Sequence, residues 1–151
     1  MVGRLKPAES LWPLSSILLL LFGAGLVIMG LYFIFLRPPL LPEDLRYIGA
    51  SQAQLESVAP RLAVWLSQVF SVMGGYVLAS GILTIALAAT SYRSQRRGVA
   101  LAIAAVGLAS IGWMTVVNFM INSDFKWVLL GVAILWVCSL ILFWVERART
   151  S

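Results

Sequence analysis

The chain has 151 residues, 61% of them hydrophobic and only 11% charged, with a formal net charge of +5. So much apolar surface exceeds what a single water-soluble core absorbs, and the composition predicts apolar helices of about 20 residues, each long enough to cross a bilayer. Without histidine and with one cysteine, Cys138, the sequence excludes His/Cys metal sites, Cys-His nucleophile pairs and an intrachain disulfide.

The first apolar run covers about 14–36, with Ser15 and Ser16 as its only strongly polar side chains. Arg4 and Lys6 precede it in the manner of a signal peptide, but the run is too long for an h-region and no small-x-small site follows. A retained helix is expected. Arg37-Pro38-Pro39 should stop it, because paired prolines remove backbone donors and exclude the helical region for the residue before them.

Leu40 to Ala59 is the one sizeable polar stretch, and it lies within the expected outer loop, 37–66. Pro42-Glu43-Asp44 places proline and acidic residues in a first turn, and Gly49 can stop the helix, so a short helix from Pro42 to Ile48 is expected. Ser51 with Gln54 reads as a capping box for a second, Ser51 to Val58, broken before Pro60. These short helices are expected to form an interfacial cap.

A helical pattern then runs from Pro60 to about Tyr92, with its membrane span at about 67–90. The turn Ser91-Tyr92-Arg93-Ser94-Gln95-Arg96-Arg97-Gly98 is short, so the third span, about 98–119, should return beside the second. A second tight turn at Asn122-Ser123-Asp124 leads to the fourth span, about 125–145, and Glu146-Arg147-Ala148-Arg149 follows it. The expected fold is therefore all-α: a polytopic membrane protein forming one transmembrane domain over 1–151, an antiparallel four-helix bundle with a short-helix outer loop between spans 1 and 2.

Lys and Arg resist translocation, so their distribution orients the spans. Arg4, Lys6, Arg93, Arg96, Arg97, Arg147 and Arg149 would share the side of both termini, whereas Arg37, Arg46, Arg61 and Lys126 would lie opposite, which divides the 11 cations in favour of cytoplasmic termini. Trp12 and Trp144 would mark the inner interface, and Trp65 and Trp127 the outer one. The strings LPEDLRYIG and NFMINSDFKW resemble segments of bacterial four-span membrane proteins, which implies a prokaryotic inner membrane.

The best candidate polar site is Asn118, Asn122, Asp124 and Lys126 with Arg46 of the outer loop, completed by Glu43 and Asp44. Asn118 and Asn122 share one helix face. Turn chemistry is the simpler account: Asn122 suits a left-handed helix stop, Ser123 or Asp124 an N-cap, and Lys126 can snorkel. Arg93, Arg96 and Arg97 are candidate contacts for anionic lipid, although topology alone would also call for them. Small residues in the first three spans, among them Gly23, Gly30, Gly75 and Ala79, are expected at helix contacts. Trp113, Trp136, Met73, Met114 and Cys138 could line an apolar interior pocket, although filling the bundle interior is the simpler account.

Three function classes follow. The leading one is a membrane protein without a catalytic motif: an accessory subunit of a larger membrane complex or a binder of a lipophilic ligand, with membrane lipids as neighbours and homo-oligomerisation open. An oligomeric small-solute transporter or channel is the alternative. Proton-driven exchange would require a carboxylate within a span, and Glu9, Glu43, Asp44, Glu56, Asp124 and Glu146 all fall outside the apolar runs. The third class is a small membrane enzyme acting on lipids. Size and basicity are similar to those of the four-helix glutathione-utilising membrane transferases, a resemblance that implies Arg, Asn and Glu on the second helix, yet Val69 to Ala89 holds neither charge nor amide. No cofactor is expected. The basic residues lie singly or in small groups beside apolar runs, which argues against nucleic acid as a partner.

Overall fold

The computed structural model describes residues 12–150, and the expectations placed on Arg4, Lys6 and Glu9 lie outside them. Among the described residues all regular structure is helical. The first long helix, α1 (Leu14–Phe35), is followed by two short ones, α2 (Pro42–Ile48) and α3 (Gln52–Val58). Next comes α4 (Leu62–Leu87), which continues into a π-helical segment, Ala88–Tyr92. The pair α5 (Arg97–Gly107) and α6 (Trp113–Met120) is joined by a second π segment, Leu108–Gly112, and α7 (Lys126–Thr150) is last.

Four of these helical stretches are long and apolar enough to cross a membrane: Leu14–Phe35, Leu62–Tyr92, Arg97–Met120 and Lys126–Arg149, hereafter spans 1 to 4. Their limits lie within a few residues of those expected, the largest difference being that spans 2 and 4 extend further.

Local chemistry accounts for the helix ends. Span 1 stops at Arg37-Pro38-Pro39, where the amides of Leu36 and Arg37 both bond back to the Tyr32 carbonyl. In α2, Pro42 stands in the first turn, Asp44 accepts from the Leu41 amide at 2.9 Å, and Gly49 closes the helix in the left-handed conformation at φ 74°. In α3 the Ser51 hydroxyl accepts from the Gln54 amide at 3.2 Å, and the Gln54 side chain accepts from the Ser51 amide at 2.8 Å. Both halves of the expected capping box are thus made.

Span 1 is the central element, packed on α4 along one side and on α7 along another. Span 3 packs on α7 and, where the connecting turn brings them together, on the end of span 2; beyond that turn spans 2 and 3 share little packing. One buried cluster draws on all four spans, with Leu19, Phe22 and Leu26 from span 1, Ala88 and Tyr92 from span 2, Ala100, Ile103 and Ile111 from span 3, and Leu129, Ala133, Trp136 and Phe143 from span 4.

The contact between α1 and α4 is backbone on backbone. A Cβ placed on Gly30 would lie 2.5 Å from the Leu78 nitrogen and 2.7 Å from its Cα, and one on Gly81 would lie 2.7 Å from the Val27 nitrogen. On Gly74 it would meet the Gly30 carbonyl oxygen at 2.8 Å. Gly23 and Gly30 on α1 therefore interlock with Gly81 and Gly74 on α4, each seven residues apart, so that both glycines fall on one face of their helix.

This corrects the expected contact face of span 2. Gly75 and Ala79 are exposed, and Gly75 has nothing within 4 Å of where its Cβ would be. The helix is apolar on every side, so periodicity cannot tell Gly74 from its neighbour.

The expected interior pocket does not assemble either. Trp136 is buried, lies over Gly107 and donates its indole N–H to the Ile103 carbonyl at 3.1 Å, whereas Trp113 is 62% exposed and Met73 also faces outward.

Candidate functional site

Polar side chains gather at two ends of the molecule. At the loop end, the expected cluster of Asn118, Asn122, Asp124, Lys126 and Arg46 divides into separate local contacts. The Asn118 amide donates back to the Met114 carbonyl at 2.8 Å, the ordinary self-bonding of a polar residue in an apolar helix. Asn122 has φ 53° and ends α6, and its side-chain oxygen accepts from the Lys126 ammonium. The Ser123 hydroxyl oxygen accepts from the Phe125 amide at 3.1 Å, a local turn bond just ahead of α7.

Arg46 does reach Asp124, at 2.7 Å, tying the outer loop to the turn between spans 3 and 4. Both side chains are more than half exposed, so this pair contributes about 0–1 kcal/mol. Two further contacts hold the loop, one through each of the neighbouring carboxylates Glu43 and Asp44. Glu43 is buried against Ser123, whose hydroxyl points to its carboxylate at 3.5 Å. Arg37 is clamped on three sides: its guanidinium carbon lies 3.4 Å from the Phe70 ring centroid, it pairs with Asp44 at 3.1 Å, and it donates to the Pro38 carbonyl at 2.8 Å. Cation–π attraction and a largely buried ion pair thus fix the end of span 1 to α2 and α4.

At the termini end, three spans meet in one hydrogen-bonded network. Span 1 begins after Pro13, which has no side chain able to cap the helix. The Glu146 carboxylate supplies that cap from span 4, accepting from the Ser15 amide at 3.1 Å and from its hydroxyl at 2.5 Å. A negative charge here also complements the positive pole of α1. The Ser139 hydroxyl donates to the Ser15 carbonyl at 2.8 Å, and the Tyr92 hydroxyl meets the Ser139 carbonyl at 2.9 Å and its hydroxyl at 3.0 Å. Gln95 donates to Glu146 at 3.4 Å, and Arg147 donates to the Gln95 carbonyl. Tyr92 and Ser139 are fully buried, so each of these bonds satisfies a group that would be costly to bury alone.

Beside this network the turn from span 2 to span 3 opens a cleft of about 570 Å³ lined by Ala89, Thr90, Ser91, Arg93, Ser94 and Arg96. The π segment ends there, and the turn passes through Gln95 at φ 55°. Arg93 stacks on Trp12 with 4.3 Å from guanidinium carbon to ring centroid. Arg96 is the N-cap of α5 and makes no side-chain cap bond; the first turn that follows has no acidic residue and begins with Arg97. The three arginines are therefore gathered at the positive end of a helix dipole, an arrangement complementary to an anion.

Chemically, the Ser15 hydroxyl beside the Glu146 carboxylate is fully buried and engaged in the helix cap, and among the described residues no group of three or more His, Cys, Asp or Glu is placed to hold a metal ion. Hydroxyls inside the spans serve the backbone: Thr84 donates to Ser80, and Thr115 to Ile111, at 2.8 and 2.7 Å. No protein-family model matches this chain, and no curated protein or solved structure is significantly similar to it.

In the sequence Glu146 and Arg37 stand only as charges flanking spans. Their partners are separated from them in sequence or defined by a ring face, and no local motif announces either arrangement. The proline at the start of span 1, an N-cap position without a capping side chain, is the one signal that a distant acceptor was required.

Proposed function

We propose that this chain is a multi-pass protein of a prokaryotic inner membrane, an antiparallel four-span bundle with cytoplasmic termini, and that it works by lateral association as an accessory subunit of a larger membrane complex. Four helices of sufficient length support the membrane reading, and only 22–28% of their most apolar windows is buried within the chain itself. The contact order, Gly23 near Gly81 and Ile85 but Gly30 near Gly74 and Leu78, supports opposite directions for spans 1 and 2.

The observation that carries the functional reading is the pair Gly74 and Gly75. Gly74 seats span 1 against span 2, whereas the adjacent Gly75 points away from every other helix, with Ala79 and Ala86 exposed one and three turns further along the same stripe. A glycine facing lipid alone lowers helix propensity by about 1 kcal/mol with no compensating contact. A glycine facing the backbone of a second helix permits the close approach on which membrane helices associate. Span 2 thus carries the same device on two sides, one satisfied inside the chain and one left for a neighbour.

A photoreactive amino acid at Ala79, introduced in cells, tests this reading. A discrete cross-link to another membrane protein is expected from position 79 and not from exposed Leu101 on span 3. Cross-links to lipid alone from both positions would refute it. A cross-link to a second copy of the chain would replace the accessory role with self-assembly, the arrangement that a transporter of this size requires.

A further inference from the structure

We propose that the cleft at the turn between spans 2 and 3 binds an anionic phospholipid. Its phosphate is held by Arg93 and Arg96 with Arg97 beside them, and its acyl chains lie along the outward apolar sides of the two spans. Four observations converge on this site. The cleft is open and about 570 Å³, enough for a phosphate with its glycerol. Two of its six lining residues are arginines, and a third arginine follows directly in the chain. The stacking of Arg93 on Trp12 holds one guanidinium in place, which reduces the ordering that binding would otherwise require. Arg96 and Arg97 are both exposed, and Gly98 leaves open space at the start of α5, whose own first turn holds no acidic residue to complement the helix dipole.

The apolar part of the ligand identifies it as a lipid rather than free phosphate. Leu83 and Leu101, on the spans either side of the turn, are 60% and 61% exposed. Leu101 lies four residues beyond Arg97, about 6 Å along the helix, and Leu83 seven residues before Thr90, about 10 Å. Those are the depths at which the upper acyl carbons of a phospholipid lie below its phosphate. Spans 2 and 3 share little packing beyond the turn, so the chains have apolar helix sides to cover. The site uses this chain alone and is independent of any partner subunit.

The test is native mass spectrometry of the full chain released from nanodiscs of equal phosphatidylglycerol and phosphatidylcholine. Wild type should retain phosphatidylglycerol at least about 25-fold over phosphatidylcholine, since each of the two lining arginines is worth roughly fivefold near an anionic headgroup. Arg96→Gln should lower that ratio about fivefold and Arg93→Gln with Arg96→Gln about 25-fold, while Arg149→Gln, which does not line the cleft, leaves it unchanged. Arg96→Lys, which keeps the cation count that orients the spans, should lose less than Arg96→Gln. Arg96 is exposed, so the single variant should fold even if the double variant does not. Equal retention of the two lipids, unchanged selectivity in folded Arg96→Gln, or an equal loss in Arg149→Gln would each overturn the proposal. Displacement of the lipid by millimolar inorganic phosphate would overturn its assignment to a lipid and leave a phosphate site.

Discussion

The carboxylate of Glu146 accepts from the amide of Ser15, 131 residues earlier in the chain, at 3.1 Å and so caps the first span. A proline-started span thereby receives its N-terminal acceptor from the last span, and the first and fourth spans are joined at one point. Removing the acceptor leaves the Ser15 amide and hydroxyl without it. Glu146→Ala should lower stability by about 1–2 kcal/mol, the usual range for a lost cap and a charge-assisted hydrogen bond, and Glu146→Gln by less. Thermal unfolding in mild detergent, followed by circular dichroism, measures both. Equal stability of Glu146→Ala and wild type would mean that water replaces the carboxylate without loss.

Gly30 and Gly75 should respond in opposite ways to the same substitution. Leucine at position 30 drives a side chain into the Leu78 backbone, and crowding that only backbone movement relieves costs about 1–3 kcal/mol or more. Leucine at position 75 enters open space and should leave the isolated chain as stable as before, or slightly more so through helix propensity. Denaturant titration of the two purified variants checks the contrast. Comparable destabilisation of both would contradict the assignment of the two faces.

Tyr92→Phe removes one hydroxyl from the buried junction between spans 2 and 4 and leaves the ring on Phe143, with centroids 4.7 Å apart. The expected loss is about 0.5–1.5 kcal/mol, since Ser139 keeps its bond to Ser15. Ser139→Ala should cost more, because it breaks the link from span 1 to span 2. A double-mutant cycle between the two positions should show coupling, and strict additivity would argue that the network is not cooperative.

Arg37 is the anchor of the outer loop. Arg37→Gln removes the charge over Phe70 and the partner of Asp44 together, so the loop 37–61 should be cleaved faster by protease, whereas Arg46→Gln should alter cleavage little because its pair is exposed. Limited proteolysis of protein in sealed vesicles with the loop outward compares them. Equal protection of Arg37→Gln and wild type would place the anchor elsewhere.

Much of the fold follows from short stretches of sequence. The Ser51 and Gln54 box, the Gly49 stop, the Pro38-Pro39 break and the left-handed Asn122 are each set by one to four neighbouring residues, and the spans by runs of apolar length. What is not legible needs a second element. Gly74 and Gly75 are adjacent letters in a helix that is apolar all round, and only the position of span 1 separates their roles. The candidate polar site was assembled from residues close in sequence, yet Asn118 bonds its own helix and Asn122 its own turn, so the shared face produced no shared contact. Arg46 and Asp124 do meet across the loop. The π segments at Ala88–Tyr92 and Leu108–Gly112 were also unexpected; each contains a hydroxyl bonded back to its own helix, Thr90 to Ala86 and Ser110 to Val106.

Orientation in the membrane can be checked by labelling. In a background with Cys138 replaced by serine, single cysteines at Ser94 and Ser51, both exposed, should react with an impermeant maleimide from opposite sides, Ser51 from outside intact cells and Ser94 only after permeabilisation. The reverse pattern would invert the arrangement drawn from the cations, and labelling from the same side would contradict the four-span topology.

The central claim is that the chain acts by lateral association, and native mass spectrometry after gentle extraction from its own membrane tests it most directly. A co-purifying membrane subunit in fixed ratio, lost on Gly75→Leu while the chain remains folded, is the predicted result. A bare monomer unaffected by that substitution would contradict the claim.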